Sequence, residues 1–210
     1  MRGPSPYTPG PVSQRPAFGC LVEVLETLVL TVVIFFGIQA FVAQPYKVQQ
    51  GSMENTLLPD QYVLVDKISP RWDTYSYGDI IVFRPPESWS GGSEVPYIKR
   101  VIGLAGDTVE LGDGVVHVNG VALDEPYIFT AADGTQQQSY PTAGGAARWV
   151  VPLGEIFVMG DHREDSADSR NFGPIETSNV IGRAWLRYWP FDRLGVLPVP
   201  AHPELASPAP

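Results

Sequence analysis

The sequence predicts a mostly β fold, in which an antiparallel, barrel-like domain with a small inserted lobe follows a single N-terminal transmembrane helix. The 21 glycines and 21 prolines among 210 residues are typical of a chain rich in strands and turns rather than in long helices. Short runs rich in Val, Ile and Tyr recur along the chain, as expected for half-buried strands. One apolar run near the N-terminus is long enough to cross a bilayer.

The composition excludes several classes of protein. Hydrophobic residues make up 44% and charged residues 18%, so the chain can form a core and is not globally disordered. The net charge of −9, without a basic cluster, argues against nucleic acid as a partner. Cys20 is the single cysteine, and His117, His162 and His202 lack the spacing of metal ligands. We therefore expect no disulfide, no metal and no cofactor.

A membrane anchor is predicted at residues 20–43, after a disordered lead at 1–19 that is rich in Pro, Gly and Ser. Among charged and amide residues, only Glu23, Glu26 and Gln39 interrupt the apolar run. A buried soluble helix of this composition would have to be enclosed on every side. A cleavable signal peptide has an apolar region of only about 7–15 residues. An uncleaved transmembrane anchor therefore fits the run best.

Basic residues at the two ends of this run predict its orientation. Arg2 and Arg15 precede the run, whereas Lys47 alone follows it closely. Because basic residues favour the cytoplasmic side, we expect a cytoplasmic N-terminus and a single pass through the cell membrane, with lipid around the anchor. Residues 44–198 would then form an extracytoplasmic domain. Residues 199–210 are predicted to be a loose tail.

The strands are predicted in order from short apolar and alternating runs. Nine segments have this pattern: 46–50, 61–68, 78–83, 97–104, 108–112, 115–123, 148–152, 155–160 and 179–189. Asn119-Gly120, between two apolar runs, is a strong hairpin signal. Residues 87–96 and 125–147 break the pattern and are predicted to form surface loops, and the inserted lobe is expected at about residues 108–153.

The segment "QQGSMENTL", residues 49–57, poses a chemical question directly after the anchor. Ser52 follows a glycine in a predicted turn, and the nearest histidine in the sequence is His117. A lysine can replace histidine as the base if burial lowers its pKa from about 10.4 to about 7–8. A nucleophilic Ser52 therefore calls for a buried lysine.

The candidate bases are the three lysines, Lys47, Lys67 and Lys99. Lys99 lies in "VPYIKRVIGL", a strand pattern in which Lys99 and Arg100 point to opposite faces. Since a guanidinium does not lose its proton, Arg100 is a poor candidate for dry burial, and Lys99 is expected to face the core. Spacing alone leaves the alternative of a turn serine and an edge-strand lysine.

A third segment, "GDHREDSADSRNFG" at residues 160–173, concentrates charge after an apolar strand. One interpretation is a solvated run of charges. Another is a hydrogen-bonded platform of Ser166, Asp168, Ser169 and Arg170 that orients a neighbouring side chain. A calcium loop is disfavoured because no glycine and terminal glutamate stand at EF-hand spacing.

The anchor and four ordered motifs together resemble bacterial type I signal peptidase, the membrane-bound Ser/Lys protease that removes signal peptides. The motifs are "GSMENTL", "GDIIVF", "YIKRVIGLAGD" and "GDHREDSADSR", and the resemblance extends through Trp189. It implies a serine endopeptidase that cleaves exported preproteins after small residues in an Ala-x-Ala pattern, with the secretion machinery as a further partner. It also implies that Ser52 is the nucleophile and Lys99 the general base.

The resemblance assigns supporting roles as well. Ser166 would orient the lysine amine. Asp168 and Arg170 would form a buried ion pair under the site, with Arg100 close by. Small apolar pockets for the −1 and −3 side chains of the substrate would be lined by Tyr46, Val48, Met53, Leu57, Tyr97 and Ile98.

The chain departs from the family pattern at several positions. Gln50 stands where many members have a serine that donates an oxyanion hydrogen bond, and its longer amide could donate instead. Asn55 replaces a common proline, and His162 a common asparagine. Two other functions remain as alternatives: a catalytically silent domain that binds exported chains, and a self-cleaving Ser/Lys regulator, against which the anchor and the acidic charge argue.

Overall fold

A computed structural model of the chain describes residues 17–41, 43–72, 74–91 and 94–205. Residues 1–16 of the predicted lead and residues 206–210 of the predicted tail lie outside the described residues. The chain divides into two compact units, Met1–Ala40 and Phe41–Pro210.

The described part of the first unit is helical and belongs to α1, Ala17–Phe41. The portion Gly19–Gly37 has the length and composition to cross a membrane, and none of it is buried within the protein. Its hydroxyl groups are satisfied within the helix, because Thr27 Oγ1 donates to Glu23 O at 2.8 Å and Thr31 Oγ1 to Thr27 O at 2.7 Å. Internal satisfaction of this kind suits a lipid environment, which offers no hydrogen-bond partners.

The second unit is built on strands. Its described residues form twelve: β1 (Ala43–Lys47), β2 (Tyr62–Asp66), β3 (Ile80–Phe83), β4 (Tyr97–Gly103), β5 (Thr108–Gly112), β6 (Val115–Val118), β7 (Val121–Ala122), β8 (Arg148–Val150), β9 (Glu155–Met159), β10 (Ile175–Glu176), β11 (Val180–Trp189) and β12 (Gly195–Val196). Three short helices accompany them: α2 (Ser69–Trp72), α3 (Glu87–Ser90) and α4 (Ser169–Phe172).

The larger sheet is an antiparallel, curled half-barrel. Its strands follow the order β1-β2-β11-β3-β4-β9-β10, and β12 pairs with β11 beside this path. The long strand β11 pairs with β2 on one side and β3 on the other, with register shifts that bend it. The predicted antiparallel, barrel-like architecture is confirmed, in the form of an open sheet.

A smaller antiparallel sheet has the strand order β7-β6-β5-β8 and lies within residues 108–150. The predicted hairpin joins β6 to β7. Its turn residues Asn119 and Gly120 have φ values of +53° and +81°, as a tight hairpin turn requires. The smaller sheet falls in the region of the predicted lobe at 108–153.

Several short elements were not predicted. The two-residue strands β10 and β12 are too short to show an alternating pattern. The helix α3 lies inside the predicted loop 87–96, where Gly91 ends it with a left-handed φ of +58°. Residues 125–147 contain an isolated bridge between Thr130 and Gln136 but no strand in the described chain.

The strand β4 is central because both of its faces are covered. All of its residues from Lys99 to Gly103 are buried. Val101 packs in a cluster with Ile81 and Phe83, whereas Ile102 packs in a different cluster with the smaller sheet. Two neighbouring side chains of β4 can therefore both be buried, and this places the site described below inside the protein.

The described part of the predicted tail, residues 199–205, makes contacts with the smaller sheet and its surroundings. Leu205 packs against the cluster of the smaller sheet, and the His202 side chain, 2% exposed, meets the Tyr77 and Tyr127 rings edge-on. The loose tail at 199–210 stays a prediction.

Candidate active site

Ser52 lies in a short 3-10 turn, Gly51–Met53, between β1 and β2. The neighbouring Met53 and Leu57 are fully buried, and Leu57 N donates to Met53 O at 2.7 Å. Apolar burial on both sides therefore holds the serine in a defined place. Only 3% of Ser52 is exposed, so its hydroxyl lies in a largely desolvated setting.

Lys99 reaches Ser52 from β4. Its Nζ lies 2.7 Å from Ser52 Oγ and donates to Ile98 O at 3.0 Å. The side chain is 1% exposed, and Lys99 pairs with Ile81 in the neighbouring strand. The sheet thus holds the amine in hydrogen-bond contact with the hydroxyl, although the two residues are 47 positions apart in the sequence.

The surroundings of Lys99 favour its neutral form. Burial is the largest cause and lowers the pKa of Lys99 from 10.5 to about 8. The carboxylates of Asp168 and Asp161 oppose this by attracting the ammonium, and the charge of Arg170 reinforces it. A lysine with this pKa can accept a proton near neutral pH.

The expected ion pair of Asp168 and Arg170 is present beneath the site. Arg170 Nε and Nη2 donate to the two Asp168 oxygens, each at 2.9 Å. Asp168 also accepts from Gly160 N at 3.0 Å and caps the start of α4. Burial alone would raise the pKa of Asp168, but its hydrogen bonds and attraction to Arg170 hold it below the usual value.

Ser166 belongs to this platform. Its Oγ donates to Asp168 Oδ2 at 2.7 Å. The hydrogen bonds of Lys99 Nζ to described residues go to Ser52 and Ile98. The orientation of the amine by Ser166 therefore stays a prediction, and the recorded bond of Ser166 is to the ion pair.

Arg100 corrects the sequence prediction. It was judged unsuited to dry burial, yet it is 0% exposed, and its partner is Asp161. Its expected place near the Asp168 ion pair stays a prediction. Nε donates to Asp161 Oδ1 at 2.9 Å and Nη2 to Oδ2 at 2.7 Å, while the guanidinium lies 4.0 Å from the centre of the Tyr127 ring. A two-pronged carboxylate partner is what makes a permanently charged side chain tolerable in the interior.

Several residues of this network were missed in the sequence. Thr56 Oγ1 donates to Asp161 Oδ2 at 2.5 Å. Arg163 Nη2 donates to Glu125 Oε1 at 2.6 Å, and this buried pair joins the 125–147 loop to the charged loop. The sequence showed the charges, but alternation along a strand does not reveal which arginine meets which carboxylate.

Three of the six predicted substrate-binding residues line a small cleft of about 30 Å³, open to solvent, beside the Ser52 turn, and the other three do not. Its lining includes Tyr46, Val48 and Ile98, together with the exposed Gln50. Met53 and Leu57 lie in the core cluster that also contains Val48. Tyr97, the remaining residue of the predicted set, is half-buried and packs against Phe83.

The arrangement can perform acyl transfer. It combines a buried hydroxyl, an amine within hydrogen-bond reach and an apolar cleft beside them. Within the described chain, no group of three or more His, Cys, Asp or Glu side chains is placed to hold a metal ion.

Comparison with known proteins gives a consistent result. The family described as "Signal peptidase, peptidase S26" matches residues 21–189. A signal peptidase I of Leptolyngbya laminosa is 38% identical over 203 residues, covering 94% of this chain and 95% of the relative. A probable signal peptidase I-2 of Synechocystis is 34% identical, with 94% and 86% covered. A crystal structure of an Enterococcus faecalis signal peptidase I is 32% identical, with a TM-score of 0.39 over 53% of this chain and 97% of that chain.

The lowered pKa of Lys99 predicts a stability effect that depends on pH. A fall from 10.5 to about 8 corresponds to about 3 kcal/mol of destabilisation while the amine is charged. Between pH 8 and 10.5 the unfolded chain holds more protons at this site, so the stability of the wild type rises with pH in that window. Below pH 8 the full destabilisation by the charged, buried amine is present.

We therefore expect Lys99→Met to be more stable than the wild type by about 2–3 kcal/mol at pH 7, and to lose this advantage above pH 10.5. Thermal unfolding of the full chain in detergent, at pH 7 and above pH 10.5, measures this difference in stability between the variant and the wild type. An equal or lower stability of the variant at pH 7 would contradict the burial cost assigned to Lys99.

Proposed function

Because the chain belongs to the signal peptidase family, peptidase S26, we propose that it is a serine endopeptidase that removes signal peptides from exported preproteins. In this proposal Ser52 is the nucleophile and Lys99 the general base. The observation that carries it is the contact of 2.7 Å between Lys99 Nζ and Ser52 Oγ, both buried. A buried lysine destabilises the fold, so a purely binding domain would gain nothing by retaining it.

The reaction begins with the neutral amine. Lys99 Nζ takes the Ser52 Oγ proton as the oxygen attacks the carbonyl of the scissile bond. The resulting ammonium gives this proton to the leaving amine, and the signal peptide remains as an ester on Ser52. Lys99 then takes a proton from a water molecule as the water oxygen attacks the ester, and it returns that proton to Ser52 Oγ as the ester bond breaks, which frees the signal peptide and restores the hydroxyl and the neutral amine. With a pKa of about 8, about a tenth of Lys99 is neutral at pH 7.

Negative charge develops on the carbonyl oxygen during the attack. The backbone N–H of Ser52 is one proposed donor to it. The second is the side-chain amide of Gln50, an exposed residue of the cleft that makes no cap hydrogen bond to the turn. This exposure leaves the amide free to turn toward the oxyanion.

The cleft accounts for the proposed preference for small side chains. Tyr46, Val48 and Ile98 contribute apolar walls, and the fully buried Met53 and Leu57 lie in the same cluster beneath. A methyl group fits a shallow apolar pocket, whereas a larger side chain would have to displace packed residues. This geometry supports the proposed cleavage after small residues in an Ala-x-Ala pattern.

We also propose that α1 anchors the protein in the cell membrane with its N-terminus in the cytoplasm. The apolar stretch Gly19–Gly37 and the basic residues before it support this orientation. The peptidase unit would then lie on the side where exported preproteins emerge, among membrane lipid and the secretion machinery.

The direct test is cleavage of a model preprotein with an Ala-x-Ala site in detergent. The wild type should cut after the small residue, while Ser52→Ala and Lys99→Met should lose all but a trace of activity, because each removes one of the two reacting groups. Lys67→Met is the matched control for loss of a lysine and should cut normally. A folded wild type that never cuts, or a Ser52→Ala variant that cuts normally, would contradict the proposed function.

Gln50 gives a separate prediction. Since an oxyanion donor acts in the transition state, Gln50→Ala should lower kcat by about 10²-fold with little change in KM. Gln50→Glu, which matches the size but cannot donate, should be equally slow, whereas Gln50→Ser should keep a donor and most of the rate. Steady-state kinetics on the same preprotein measures these values. Unchanged kcat in Gln50→Ala would exclude Gln50 as the donor.

A further inference from the structure

The turn that carries Ser52 is held from outside as well as by its own backbone. Ser52 O accepts a hydrogen bond from the N–H of His162 at 3.0 Å. The charged loop, residues 160–173, is therefore bonded directly to the main chain of the proposed nucleophile. Gly160 lies so close that an added side chain would collide with Ser52 O. The turn and the loop therefore pack backbone against backbone.

Two side chains connect the turn and the loop a second time. Glu54 follows the turn, and its Oε2 lies 3.3 Å from His162 Nδ1. This Nδ1 is buried, and no described residue aligns with it as a full hydrogen-bond partner, so the Glu54 carboxylate is the group that interacts with it. The other Glu54 oxygen covers Gly51, where an added Cβ would come within 2.9 Å of it.

The His162 ring is itself fixed in place. It stacks on Phe129 with a centroid distance of 4.2 Å and an interplanar angle of 12°. Phe129 N in turn donates to Asp161 O at 3.0 Å. The imidazole thus lies between Phe129 and Glu54, in contact with a loop of the lobe and with the turn.

Asn55 attaches the same turn to the lobe. Its Nδ2 donates to Tyr127 O at 3.1 Å and to Ile128 O at 3.2 Å. Its φ of +87° is open to asparagine and glycine but not to proline, whose ring fixes φ near −65°. One residue therefore permits the turn conformation and also ties it to a neighbouring segment.

We propose that Glu54, Asn55 and His162 form a latch, made of positioning residues, that fixes Ser52 Oγ against Lys99 Nζ. The proposal rests on the proposed function for its kinetic consequences, but its structural part stands apart from activity. Among the described residues, the hydrogen bonds of Ser52 Oγ and Lys99 Nζ go to each other and to Ile98 O, and none goes to a latch residue. They act through the main chain of the turn, where a displacement of about 1 Å can cost about 10² in rate.

The test compares disruptive and conservative variants of the full chain in detergent. Glu54→Ala removes the carboxylate, and His162→Phe keeps the stacking on Phe129 but removes Nδ1. Each should lower kcat by about 10²-fold with KM nearly unchanged. Glu54→Gln keeps an acceptor and His162→Asn keeps a donor near the Nδ1 position, so both should retain most of the rate. The double variant Glu54→Ala/His162→Phe should be no slower than either single variant.

Asn55→Gly tests the second attachment, because glycine accepts the positive φ but cannot donate to the lobe. It should also lower kcat. Glu164→Gln is the control: it changes an exposed acid of the same charged loop without altering the turn, and should leave kinetics and exchange unchanged.

Two readouts separate positioning from other roles. The pH midpoint of kcat should stay at its wild-type value in every latch variant, because the latch acts on geometry and not on the charge of Lys99. Hydrogen–deuterium exchange of residues 49–57 should rise in Glu54→Ala and His162→Phe while the rest of the protein keeps its protection. This second readout needs no cleavage, so an inactive wild type would overturn the proposed function and leave the latch measurable.

The latch would be overturned by unchanged exchange in the disruptive variants, by wild-type kcat in them, or by a shifted pH midpoint. Equal impairment of the conservative and disruptive variants would also overturn it, because the contacts kept by the conservative substitutions would then be irrelevant.

Discussion

The burial of the Lys99 amine is the interaction on which the rest of the structure depends. An exposed lysine is almost fully protonated at neutral pH and is a poor base, so the proposed role of Lys99 requires that the fold enclose it. The strand β4 does so because it is covered on both faces, and Ser52 completes the enclosure from the opposite side. The cost in stability is a condition of the chemistry, since hydrating the amine again would restore its charge.

The buried charges around Lys99 are arranged so that they do not cancel the lowering of its pKa by burial. An unpaired carboxylate beside the amine would hold it protonated. Three carboxylates of the interior are each matched to an arginine, in the pairs Asp161–Arg100, Asp168–Arg170 and Glu125–Arg163. Each guanidinium satisfies the carboxylate by direct hydrogen bonds and offsets its field. The platform can therefore be rigid and highly charged while the lysine remains easy to deprotonate.

Much of this structure could be predicted from local sequence. The Asn119-Gly120 hairpin follows from turn chemistry, and the strands around Lys99 follow from apolar periodicity. The importance of Ser52 and Lys99 was inferred from residue chemistry and from ordered motifs. These features depend on neighbours in the chain, so the sequence displays them directly.

Other features depend on pairing at long range and were not predictable. The burial of Arg100 became possible only because Asp161, 61 residues later, meets it with both oxygens. The contacts of His202 with Tyr77 and Tyr127 likewise join residues that are far apart in the sequence. In each case the fold brings close a partner that the local sequence does not show.

Direct titration of Lys99 tests the central claim most closely. The chain has only three lysines, so lysine labelled with ¹³C at Cε gives a spectrum that single substitutions can assign. We expect one resonance, absent in Lys99→Met, to titrate near pH 8. A Lys99 resonance that titrates at or above the ordinary lysine value of about 10.4 would leave almost no neutral amine at pH 7 and would contradict the account.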